Sequence, residues 1–313
     1  MQIKPSQTLV AIFMIVSLPM SANGQTLDID TDTTLSSGNY STINVDPGVA
    51  QTPAITANIG GTVRTTNLNV SNTATLNLSA SARVISTLTV GDSATVNIST
   101  GARVNSLIAR NTSAVSVTGG DFDLGIEAYD NSRLTIAGAA ISSGGITVRN
   151  NSEVAIISGD NRIYSWDNAV MNVLGGNIRV HNSYLNSVTN LRGGTFTVSK
   201  FLGVFHDSVV NVYGTNLSMS FAGTGSSTNG DYRIFALAGT LEDGTSLAGV
   251  SLYDYSDGGY EVGNAANPNG AASPINFNPG VIAVPEPTAL VHLTVGAIAG
   301  LGLLRTRSRR KAS

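Results

Sequence analysis

The chain has 313 residues and a formal net charge of −3. Only 12% of its residues are charged, it carries 34 glycines, and it has no cysteine. Thiolate metal sites, nucleophilic cysteine and disulfide staples are excluded. Lysine occurs only at Lys4, Lys200 and Lys311, so long amphipathic surface helices are disfavoured, and Thr, Ser and Asn suit strands and turns instead.

Residues 1–24 read as a signal peptide. Lys4 supplies a positive start, 9–18 supply an apolar stretch, and Ala22 and Gly24 fit a small-x-small cleavage site. Residues 25–60 are expected to form an N-terminal cap and the first coils of a repeat.

From 61 to 215 the chain is periodic. Ala74, Ala94, Ser113, Ser132, Ser152, Ala169, Ser187 and Ser208 form a column of small residues with spacings of 20, 19, 19, 20, 17, 18 and 21. Two places on stand Leu76, Val96, Val115, Leu134, Val154, Met171, Thr189 and Val210. Four places on stand Leu78, Ile98, Val117, Ile136, Ile156, Val173, Leu191 and Val212. The residues between these two columns are mostly Asn, Ser or Thr, which predicts a short strand with one buried face. A turn column precedes the strand (Thr73, Ser93, Thr112, Asn131, Asn151, Asn168, Asn186, Asp207). A small-residue column follows it (Ser81, Gly101, Gly120, Ala139, Gly159, Gly176, Gly194, Thr215).

A second strand is expected at Phe122/Leu124, Ile178/Val180, Phe196/Val198 and Leu217/Met219, and a third at Leu88/Val90, Ile126/Ala128 and Ile146/Val148. Three strands in roughly 19 residues predict an all-β fold: a single-stranded parallel β-helix, or β-solenoid, with β caps. A helix is expected at each end of the chain, the signal helix and a short hydrophobic one. A β-sandwich would not require the same residue type at a fixed period over eight units.

Residues 216–265 break the period and are expected to form a C-terminal β cap, with strands at 232–237 and 249–253 joined by a turn at Glu242, Asp243 and Gly244. Residues 266–283 read as a flexible linker.

The last segment, 284–313, has three parts. Val284, Pro285, Glu286 and Pro287 come first. An apolar run at 290–304 follows, interrupted by His292, Gly296, Gly300 and Gly302. Arg305, Arg307, Arg309, Arg310 and Lys311 close the chain. The run is short for a permanent span, which needs roughly 20 residues, and the basic cluster is expected to stay cytoplasmic as a stop-transfer signal.

This order of motif, helix and arginine-rich end resembles the PEP-CTERM sorting signal of exosortase substrates. The resemblance covers about 30 residues. It implies export by the general secretion machinery, transient anchoring by the C-terminal helix and cleavage by an exosortase near the motif. The product would be released to the cell surface or beyond, in a setting of exopolysaccharide. The repeat body is similar to autotransporter passengers, without the C-terminal barrel strands such a protein carries.

Removing both ends leaves 11 − 19 = −8, an acidic balance that argues against nucleic acid as a partner. Asp121, Asp123, Glu127 and Asp130 form the densest acidic cluster, with calcium as its conceivable ligand, but solvated corner acids are the preferred reading. Asp28, Asp30 and Asp32 lack the glycine and glutamate an EF-hand loop requires. His181 and His206 fall at different phases of the repeat, and Arg83 and Arg103 are expected to stack as neighbours. No catalytic residue, metal or cofactor is assigned. The chain is expected to be a non-enzymatic surface or matrix protein associated with polysaccharide. The alternative is a β-helix protein that binds or degrades polysaccharide.

Overall fold

Asn72 takes a left-handed backbone conformation (φ 55°), and the Ser71 carbonyl accepts a hydrogen bond from the Ala74 N–H at 3.2 Å. That tight turn swings the chain into the strand Thr75–Leu78, which buries Leu76 and Leu78 and turns Thr75 and Asn77 outward. Ser81 (φ 68°) makes the next corner, and the bent strand Arg83–Val90 completes the circuit, with its register shift between Val84 and Thr87. The next turn then repeats at Asp92 (φ 51°). In this computed structural model, which describes residues 24–48, 54–196, 201–227, 230–255 and 275–279, about nine such turns of roughly 19 residues stack as a parallel β-solenoid. Among the described residues there is no helix. The helices expected near the two termini lie outside them.

Each coil has three faces. On the first, consecutive strands pair in parallel register: Leu76 with Val96, Val96 with Val115, Val115 with Leu134, and Leu134 with Val154. The second and third faces are usually two segments of one bent strand, as in Asp121–Ala128. They separate into Ala139–Ile141 and Ile146–Val148 one coil later. At the bend, Phe122 points inward but Leu124 is 56% exposed, so the second strand is shorter than its expected Phe122/Leu124 pattern. Val180 departs in the same way. The irregularity between Asn161 and Arg162 puts His181, not Val180, against the core.

The turn column is also displaced. The left-handed residues are Asn72, Asp92, Asn111, Asp130, Asn150, Asp167, Leu185 and His206, each one place before the expected column. Asn and Asp tolerate this conformation better than other side chains do. At the second corner the glycine column is needed. Gly120 has φ 97°, and a Cβ there would stand 3.0 Å from the Ala102 carbonyl oxygen.

The two ends are closed differently. Thr26–Ile29 pairs in parallel with 42–45 at the start of the third face. At the other end Val209–Ser227 leaves the coil, Gly230–Leu241 returns antiparallel to it, and Val250–Asp254 pairs antiparallel to that strand and parallel to Phe201–Val204. Ile275–Pro279, inside the segment expected as linker, pairs in parallel with 210–214. The last first-face strand presents unpaired N–H and C=O groups, and an extended segment nearby satisfies them by adding a rung.

Candidate functional site

The acidic cluster read from sequence does not converge. Asp123 receives two hydrogen bonds from Arg103, Nε at 3.2 Å and Nη2 at 2.9 Å. Glu127 accepts the Tyr129 hydroxyl at 2.5 Å, which raises the Tyr129 pKa above its ordinary value. Asp130 accepts the Asn111 N–H and the Asn150 side-chain amide, both at 3.1 Å. Asp121 follows Arg103 in the outer row of the second face. Among the described residues no three His, Asp or Glu side chains come together to hold a metal. Asp28 and Asp32 accept hydrogen bonds from the Asn44 amide and the Thr56 N–H, both at 2.7 Å, and so tie the first coils together.

The two histidines part as their phases required. His206 stands in a corner turn. His181 is buried on the third face, where Leu88, Leu107, Ile126, Ile146 and Ile163 precede it in the same column. Its Nε2 lies 3.0 Å from the Thr189 hydroxyl, which lies 3.1 Å from Ser183; the Ser165 hydroxyl is 3.1 Å from those of Ser183 and Ser187. Burial pushes the imidazole pKa down to about 4, so it is neutral at pH 7. His181 Nδ1 and both amide atoms of buried Asn161 have no hydrogen-bond partner.

The first corner carries an arrangement that the sequence reading passed over. The left-handed positions alternate Asn72, Asp92, Asn111, Asp130, Asn150, Asp167. Each Asn donates its backbone N–H to the next Asp, and its side-chain amide to the previous acid: Asn72 to Asp92 and Asp46, Asn111 to Asp130 and Asp92, Asn150 to Asp167 and Asp130. The Asn72 amide and the Gly48 N–H hold the Asp46 carboxyl below its ordinary pKa. Alternation keeps acids two coils apart, where a run of acids would repel.

One residue earlier stand Arg110, Tyr129, Arg149, Trp166, Tyr184 and Phe205. Arg110 and Arg149 lie 5.0 Å from the Tyr129 and Trp166 ring centres. Trp166, Tyr184, Phe205 and Tyr255 then stack at 3.8, 4.4 and 4.3 Å. A signal for both ladders was present in the 17-to-21-residue period, one and two places ahead of the turn column. The stacked rings cover one another's faces, so the ladder stiffens the corner.

The first face carries asparagine ladders. The Asn77 amide donates to Asn58 at 2.8 Å and the Asn97 amide to Asn77 at 2.9 Å; Asn190 donates to Asn172 and Asn211 to Asn190, both at 2.9 Å. On the second face Arg64, Arg83 and Arg103 stand in register on consecutive coils, so the expected stacking of Arg83 and Arg103 is present and extends to Arg64.

Of the cleavage and sorting positions, Gly24 lies among the described residues, exposed and two places before the first strand. Ala22, Val284, Pro285, Glu286, Pro287, Arg305, Arg307, Arg309, Arg310 and Lys311 lie outside the described residues. No family model matches the chain, and no curated protein and no solved structure is significantly similar to it.

Proposed function

We propose that the chain is a non-enzymatic, exported structural protein of the cell surface or extracellular matrix. In this reading its C-terminal signal is cut by an exosortase near Pro285-Glu286-Pro287, after transient anchoring by the helix at 290–304. The supporting observation is how the outward polar groups are used. Asn58, Asn77 and Asn97 on the first face, and the Asn/Asp series at the first corner, bond chiefly to their equivalents in neighbouring coils. Of the acids that could have formed a reactive or cation-binding cluster, Asp123, Glu127 and Asp130 are tied to an Arg, a Tyr and two Asn residues. Such side chains hold a rod together and present a regular polar surface, which suits a scaffold associated with polysaccharide.

The sorting step is tested by mass spectrometry of the exported protein. The expected product ends near Pro285-Glu286-Pro287, and an intact 305–313 end would defeat the reading. The non-enzymatic part is tested with acidic polysaccharide, with and without calcium. No unsaturated or shortened product is expected, and its release would favour the degrading alternative.

A further inference from the structure

The second face holds a feature that the internal bonding of the solenoid does not explain. Parallel register stacks Asn39, Arg64, Arg83, Arg103 and Asp121 in one outer row. Three guanidinium groups therefore follow one another at a coil rise of roughly 4.8 Å, and like charges directly opposite in a sheet destabilise it. Elsewhere the chain avoids this arrangement. Its corner acids alternate with asparagine, and Arg133, Arg179, Arg192 and Arg233 each have a carboxylate partner. In the row itself Arg103 is neutralised by Asp123. Arg64 and Arg83 have no carboxylate partner among the described residues.

Their surroundings are neutral and only mildly polar. Thr62 and Thr66 are exposed beside Arg64, and Ile85, 48% exposed, lies two residues from Arg83 on the same side of the strand. The exposed Arg64, the half-buried Arg83, flanking hydroxyls and one aliphatic side chain form a narrow strip along the solenoid axis. Charge complementarity asks for an anionic polymer whose charges recur along its length. The coil rise of roughly 4.8 Å is close to the advance of one pyranose in an extended chain, and Ile85 offers an apolar contact for sugar C–H groups. The net acidic balance of the chain as a whole repels polyanions that lack such a match.

We infer that the Arg64–Arg83–Arg103 row, with Ile85 beside it, binds a single strand of acidic polysaccharide lying along the solenoid axis. The inference rests on the proposed polysaccharide association and narrows it to a carboxylated polymer and to one face.

The test is titration of the purified full chain with polygalacturonate, with dextran as the uncharged polymer. An oligothymidylate and phosphatidylglycerol vesicles serve as competing polyanions. Polygalacturonate is expected to bind, to weaken with added salt, and to bind in preference to the other three. The double variant Arg64→Gln/Arg83→Gln should lose about tenfold or more in affinity, since charge-assisted guanidinium–carboxylate contacts are the stronger class of hydrogen bond. Arg133→Gln, on the first face, should bind like the unaltered chain.

The double variant should also melt no lower than the unaltered chain, because substitution relieves repulsion. Lower melting would show that the row is already compensated and would overturn the premise. Absent binding, equal binding of dextran, tighter binding of the oligonucleotide or vesicles, or undiminished affinity in the double variant would each refute the inference. A chain that reaches the surface and is trimmed at its C-terminus without binding polygalacturonate would sink this strip alone. Binding by a chain that is never exported would instead sink the surface-protein reading.

Discussion

At position 181 an imidazole occupies a site that five preceding coils give to Leu or Ile, and the neighbouring residues account for its tolerance. Thr189 replaces an aliphatic residue on the first face, and Ser165 and Ser183 follow Val148 on the third. Together they form a local polar plug within the aliphatic core. Thr189 was the legible sign of it, since it alone interrupts its column with a hydroxyl. The meeting with His181 was not legible, because it depends on a one-residue bulge at Arg179, opposite Asn161 and Arg162, that no period announces. The plug makes folding pH-dependent. The imidazole pKa falls from 6.5 to about 4 on burial, so between those values the unfolded chain binds the extra proton. Its contribution to stability is complete above pH 6.5 and is lost as pH falls toward 4, by about 3 kcal/mol over the interval. His181→Gln should flatten that part of a stability–pH curve measured by urea unfolding. An unchanged slope between pH 6.5 and 4 would show that other groups govern it.

At the scale of the element, the coil and the cap differ in what a sequence can announce. The strand Thr75–Leu78 and its equivalents were legible because burial repeats at a fixed interval and each coil faces the same environment. The exact corner residue was less so, since Asn72 and Thr73 are both good turn formers and only the left-handed φ of Asn72 separates them. The cap has no period, and its strands were found only approximately, at Gly230–Leu241 and Val250–Asp254. The polar contacts that seat it join residues about 50 apart. Arg192 Nη1 stands 3.0 Å from both carboxylate oxygens of Glu242, its guanidinium lies 3.6 Å from the Tyr213 ring centre, and Asp243 accepts the Gly194 N–H at 2.7 Å. Arg192→Ala removes the fork and the ring contact together and should cost about 1–3 kcal/mol. The loss should be local. Hydrogen exchange in 230–241 should speed while 75–136 keeps its protection, because each coil contacts chiefly its neighbours. Equal acceleration in both segments would mean that cap and coils open as one unit.

On the scale of the whole molecule, the solenoid carries two periods that need not agree. The aliphatic columns repeat every coil, so any coil can be removed at equivalent points without turning a buried residue outward. The Asn/Asp series repeats every second coil, and Arg110 and Arg149 alternate with Tyr129 and Trp166 in the same way. Deleting 92–110 joins Gly91 to Asn111, keeps the core columns, and sets Asn111 against Asn72. Neither side chain then supplies the carboxylate that accepted the Asn72 N–H. Deleting 92–129 joins Gly91 to Asp130 and restores the alternation, so Asn72 again donates to an aspartate. Both variants should fold, shortened by roughly 4.8 and 9.6 Å. Both lose Arg103, but the larger deletion also gives up the core of a second coil, so the two are compared by stability per remaining coil. Per remaining coil the larger deletion should be the more stable of the two, since it recovers charge-assisted bonds worth about 1 kcal/mol. Small-angle scattering gives the lengths and urea unfolding the order of stability. If the single-coil deletion proved equal or better per remaining coil, the corner ladder would be an ornament of the turn and the aliphatic columns alone would set the stability of the rod.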